Sequence, residues 1–145
     1  MSTKFKEMIY VSPKLAKTEV LEQNYHKGYE YVVLSYGVHP CCYVALPKIH
    51  PYYGLDYERC EIQCHGGLSF SEWGFANIIS EEYWVLGWDY CHAGDYVGYA
   101  SVAPSITSPS ILGPFKKWTT EELVIDCINV IEQLVFIENP GRFYA

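Results

Sequence analysis

His65, Asp89, His92 and Asp95 are the residues of this chain best suited to chemistry, and divalent-metal binding is the chemistry they suit. Three of them lie in Gly87-Trp88-Asp89-Tyr90-Cys91-His92-Ala93-Gly94-Asp95, where Asp, His and Asp recur at three-residue intervals. Imidazole nitrogen and carboxylate oxygen are the usual mixed donors for zinc, and neighbouring glycines let a loop fold tightly around an ion. His65, followed by Gly66-Gly67, offers a further donor from a second turn.

Each of these residues also has a plainer use. An Asp at a strand end commonly caps a turn by accepting a backbone N–H, and Asp95 after Gly94 fits that role as well as it fits direct ligation. A lone histidine is more often packed or hydrogen-bonded than ligating; here the two occur together in glycine-bearing turns, which favours the ligand reading. His50, in the rigid loop His50-Pro51-Tyr52-Tyr53-Gly54, and Cys64 are reserve ligands. Cys60 and Cys64 match no paired Cys-x-x-Cys ribbon, so an all-thiolate site has little support. There is no Gly-x-Ser-x-Gly elbow and no phosphate-cradling glycine loop.

Positioning these groups requires strands that end at the two turns. Tyr29 to Tyr36, aromatic and β-branched between Gly28 and Gly37, reads as a strand, and Cys42 to Leu46 as its hairpin partner. Glu58 to Cys64 alternates well enough for a third strand ending at His65. A loop around Ser69 to Glu72 precedes an apolar strand, Tyr83 to Trp88, which delivers Asp89. Before these, Lys14 to Gln23 is expected to form a short helix after Pro13. Residues 96–117, rich in Pro, Ser and Gly, read as a long irregular loop. Thr119 with Glu122 makes a capping box, and Leu123, Cys127, Val130, Ile131, Leu134 and Val135 recur at three and four as one buried helix face demands, with Asn139-Pro140-Gly141 as the stop. The expected fold is α+β: an antiparallel sheet of four to six strands with the 119–137 helix across one face, in a single domain over residues 1–145.

Composition narrows the function. Half of the 145 residues are hydrophobic, which excludes a disordered chain and permits a core without disulfide support. The N-terminal residues lack an apolar signal run and no window spans a bilayer, so a cytoplasmic protein with six reduced cysteines is expected, with no membrane association. Seventeen acidic against ten basic residues give a net charge of −7, which repels phosphate; direct nucleic-acid binding is not expected. Such a surface can nevertheless enter a basic groove built for nucleic acid.

Three segments carry a resemblance to small phage- and prophage-encoded proteins: Pro40-Cys41-Cys42-Tyr43-Val44 with Pro47 to Gly54, then His65-Gly66-Gly67-Leu68-Ser69, then Gly87 to Asp95. The resemblance spans roughly residues 25–137, and Ser69 stands where threonine is common. It implies an accessory role in phage biology in the bacterial host's cytoplasm. The chain is also similar to metal-binding anti-CRISPR proteins. That similarity implies a zinc-dependent inhibitor that binds a host defence protein, the type II CRISPR RNA-guided nuclease. The alternative is a zinc-dependent hydrolase, in which His65, His92 and Asp89 hold the ion, water occupies its fourth position, and Asp95 serves as general base or orients a histidine. Binding is the expectation, because no second catalytic group of clear role stands out.

Overall fold

A computed structural model describes residues 18–37, 39–92, 95 and 116–140. Five strands, β1 (Glu19–His26), β2 (Tyr29–Ser35), β3 (Pro40–Leu46), β4 (Phe70–Phe75) and β5 (Ile79–Asp89), form one antiparallel sheet in the order β1-β2-β3-β5-β4, followed by a helix, α1 (Thr120–Glu138). The α+β architecture expected from the sequence is the one found. No described helix is long and apolar enough to cross a membrane.

Side-chain alternation divides the sheet's two faces. Tyr31, Val33, Cys42, Val44, Leu46, Trp84, Leu86 and Trp88 point toward α1 and meet Leu123, Cys127, Val130, Ile131, Leu134 and Val135. Each aliphatic chain so buried contributes about 1.5–3 kcal/mol relative to leaving it in water. The opposite face gathers Val32, Leu34, Cys41, Tyr43, Ala45, Phe75, Ile79 and Val85. Both faces are therefore apolar, and all of β3 is buried. The sheet coils around this second cluster until Gln23 on β1 reaches the Ile78 carbonyl in the β4–β5 turn, at 3.4 Å. Gly87 is needed here, since a Cβ would lie 2.6 Å from the Tyr43 ring that stacks on Phe75.

Local sequence accounts for the turns. Lys27 and Gly28 both have positive φ, the requirement of a tight two-residue hairpin between β1 and β2. The capping box at Thr119 is formed on both sides: Glu122 N–H donates to Thr119 Oγ1, and Thr119 N–H donates to Glu122 Oε1. Asn139 caps the far end of α1.

Several expected elements differ. Residues 19–23, expected in a short helix, lie in β1, because pairing with β2 outweighs the weak local preference for helix; residues 14–17 lie outside the described residues. Glu58 to Cys64 is no strand. It holds a short 3-10 turn, Tyr57–Arg59, capped by Asp56, and then an irregular stretch docked on α1. There Gln133 accepts from the Gln63 N–H at 2.8 Å and donates to the Gln63 carbonyl at 2.7 Å, satisfying backbone groups a strand neighbour would otherwise serve. Of the loop expected at Ser69 to Glu72, Phe70 to Glu72 lie in β4, the edge strand paired to β5. β5 begins at Ile79, four residues before the expected Tyr83 start. The long loop expected at 96–117 lies outside the described residues except for Lys116 and Lys117.

Candidate functional site

The four polar residues meet where β5 ends. Asp89 closes β5 opposite Cys41, and the Tyr90 N–H donates to the Pro40 carbonyl at 3.0 Å, so the outgoing chain stays tied to the sheet before it turns at His92. Asp95 N–H closes that turn on the His92 carbonyl at 2.9 Å, and Asp95 then bridges to Lys116, directly ahead of α1. His65 comes from the other side, in the turn closed by Gly67 N–H on the Cys64 carbonyl.

Asp95 is the fixed point of the cluster, with 4% exposure. Its Oδ2 accepts from His65 Nε2 at 2.7 Å and from the His92 N–H at 3.0 Å, and its Oδ1 accepts from Trp118 Nε1 at 2.9 Å. Burial opposes ionisation of this carboxyl. The hydrogen bonds from His65, Trp118 and His92 outweigh it and hold the group below its ordinary range. The carboxylate in turn sets His65: Nε2 carries the proton, and Nδ1 is left as the lone-pair nitrogen.

Aromatic rings fix the plane of that imidazole. It stacks on Tyr90 at 4.8 Å with 6° between planes, and Trp118 meets it edge-on at 4.9 Å. Tyr90 is itself pinned beneath, donating to Asp126 on α1 at 2.5 Å and accepting from Trp88 Nε1 at 3.0 Å. The His65 ring is therefore held between Tyr90, tied to α1, and Trp118 at its threshold.

His92 and Asp89 form a looser pair. His92 Nε2 stands 3.2 Å from Asp89 Oδ1, and the His92 ring centroid lies 5.5 Å from that of His65. Asp89 also accepts from the Cys91 N–H at 3.1 Å and from Ser69 Oγ at 3.3 Å. Gly66 lies against the other side of His92: a Cβ there would sit 2.1 Å from Nε2 and displace the ring from this position.

The two reserve ligands lie elsewhere. His50 is buried with both ring nitrogens used, Nε2–H donating to the Leu134 carbonyl at 2.9 Å and Nδ1 accepting from the Tyr52 N–H at 2.9 Å. It ties the Pro47 to Gly54 loop to α1. Cys64 packs into the helix-side core, where burial and the neighbouring Cys42 and Asp126 push its thiol up to about 12. All six cysteines are free thiols.

His65, Asp89, His92 and Asp95 thus share one cluster, while among the described residues no group of three His, Cys, Asp or Glu donors converges as a closed metal shell would. Trp118 and Tyr90 are members of the cluster that sequence reasoning missed. Tyr90 lies inside the same motif and Trp118 directly precedes the capping Thr119, but indole is no metal donor and phenol is not among the usual zinc ligands, so ligand spacing alone could not single them out. No protein-family model, curated protein or solved structure matches the chain.

Proposed function

We propose that this is a zinc-binding protein whose ion clasps the end of β5, the turn at His65 and the threshold of α1, and whose work is to bind another protein. The observation that carries the metal reading is the 3.2 Å approach of His92 Nε2 to Asp89 Oδ1, with the His65 ring 5.5 Å from that of His92. Two donors at about 2.0–2.1 Å from a tetrahedral ion stand about 3.3 Å apart, so the spacing of this ion pair also suits two ligands. His65 would join as third ligand through Nδ1, with the turn at His92 drawing in, since the three donors do not converge as they stand. Asp95, with both oxygens occupied, orients His65 instead of ligating, the outer-carboxylate role common to metal-bound histidines.

The test is elemental analysis of the purified chain with thermal unfolding before and after chelation. Stoichiometric zinc, lost in His92→Ala, with a lower Tm after chelation supports the reading, because metal affinity is then folding free energy. A metal-free protein whose Tm ignores added zinc overturns it.

The partner we propose is the host type II CRISPR RNA-guided nuclease, with the −7 chain entering a groove built for nucleic acid. The resemblance to phage-encoded anti-CRISPR proteins supports this choice. A DNA-cleavage assay with the purified nuclease checks it: undiminished cutting at excess inhibitor removes this partner.

One observation favours a second reading, a zinc-dependent hydrolase. The His92 side chain is 38% exposed, leaving the cluster open to water. Asp95 is too fully engaged to act as general base, so metal-bound water would have to supply the nucleophile itself. A panel of nuclease, phosphodiesterase and peptidase substrates with added zinc decides it, and uniform inactivity sinks the hydrolase.

A further inference from the structure

A groove of about 490 Å3 lies between the chain at Tyr52 and Glu61 and the last turns of α1, lined by Tyr52, Glu61, Glu132, Gln133, Phe136 and Ile137. It is separate from the histidine cluster. Its shape is preset: Gln133 is doubly bonded to Gln63, the Tyr52 hydroxyl accepts from the Glu61 N–H at 3.2 Å, and the Tyr52 backbone is held by His50. The walls are chiefly carbon, and Phe136 is 38% exposed.

The two carboxylates at its rim differ. Glu132 already accepts from Lys27 at 2.9 Å and contacts His26 at 2.7 Å. Among the described residues, no cation or donor reaches the Glu61 carboxylate. An aromatic groove with one negative charge that is uncompensated among the described residues, on a chain of net charge −7, complements a flat cation on an aliphatic stem. Guanidinium fits this description better than ammonium: it is planar, weakly hydrated, pairs bidentately with carboxylate and stacks on aromatic faces.

We propose that this groove receives an arginine side chain of a partner protein, with the guanidinium on Glu61 and the stem between Tyr52 and Phe136. The inference rests on the protein-binding reading for the source of that arginine, but the groove can be tested without the partner.

The experiment titrates hexa-arginine, hexa-lysine and hexa-citrulline peptides into the full-length protein as purified, by calorimetry and by NMR shift mapping. Hexa-arginine should bind most tightly and shift the amides of residues 132–137. Glu61→Gln, and Phe136→Leu, which keeps apolar bulk but removes the ring face, should each weaken it about two- to fivefold. Glu121→Gln, on the exposed first turn of α1, should not. Equal weakening by Glu121→Gln and Glu61→Gln, equal affinity for hexa-lysine, or no shift at residues 132–137 would overturn the proposal. Such a result beside intact zinc loading and nuclease inhibition would remove the groove and leave the metal-dependent reading standing.

Discussion

The indole N–H of Trp118 donates to Asp95 Oδ1 at 2.9 Å, so the carboxylate that orients His65 is held from the threshold of α1. Trp118 also meets the rings of both His65 and Tyr90, and Lys116 lies 4.6 Å over its face. The helix start and the candidate metal centre are thereby one unit: what disturbs the indole is felt by the imidazole.

Trp118→Phe separates the hydrogen bond from the packing. The ring remains against His65, but Asp95 loses one of three donors and its hold on the imidazole weakens. Outer partners of metal-bound histidines are worth about 10–100-fold in affinity, and a loss in that range is expected in a zinc competition titration with a chromophoric chelator. Unchanged zinc affinity in a folded Trp118→Phe would show that Asp95 does not act through His65.

Gly66 and Gly67 make a paired test of the space around His92. Both have positive φ, so either alanine carries backbone strain of about 1–2 kcal/mol. Only at position 66 would the methyl also collide with His92 Nε2, whereas at 67 nothing lies within 4 Å. Gly67→Ala should therefore keep zinc at a slightly reduced Tm, and Gly66→Ala should lose it. Equal zinc content in the two variants would mean that His92 does not occupy this position in the loaded protein.

His50 gives a pH dependence of known sign. Burial lowers its pKa, partly offset by the Leu134 carbonyl and by Glu138, the charged group that faces it; the aromatic neighbours are Tyr29 and Tyr52. A histidine whose folded pKa lies below its unfolded value stabilises the fold above 6.5 and loses that contribution as pH falls through the folded value. His50→Leu leaves the Leu134 carbonyl and the Tyr52 N–H unpaired, at a cost of roughly 1–3 kcal/mol at pH 7.5. The gap to the parent should narrow on acidification in urea unfolding between pH 7.5 and 5. A gap that stays constant or widens would refute the neutral, doubly bonded histidine.

Thr119→Ala tests the helix start itself. Loss of a capping hydroxyl costs about 1 kcal/mol. Because Trp118 precedes the cap, zinc affinity should fall alongside Tm. A variant with lowered Tm and full zinc affinity would uncouple the helix from the site.

Much of the framework was legible in the chain because its signals are local. The capping Thr119 and Glu122, the six apolar positions from Leu123 to Val135, and the β-branched runs of β2 and β3 each report on a few neighbouring residues, and each formed where expected. Where the reading failed, pairing partners decided. Residues 19–23 have no strong preference of their own and became strand because β2 offers them an edge; Phe70 to Phe75 became strand because β5 extends back to Ile79. Glu58 to Cys64 alternates like a strand, yet Gln133 takes up the Gln63 backbone and docks the segment on α1.

The same division holds for the site. The sequence by itself singled out His65, Asp89, His92 and Asp95, and the glycines that let two turns come close, because residue type and spacing are covalent facts. Tertiary structure alone decided the roles. It buried Asp95 under three donors, made Trp118 and Tyr90 the walls of the His65 ring, set His92 beside Asp89, and sent His50 to a carbonyl of α1. Those outcomes depend on which surfaces meet when the sheet coils and the helix docks, contacts between residues as far apart as 65 and 95, or 50 and 134, that no local spacing encodes.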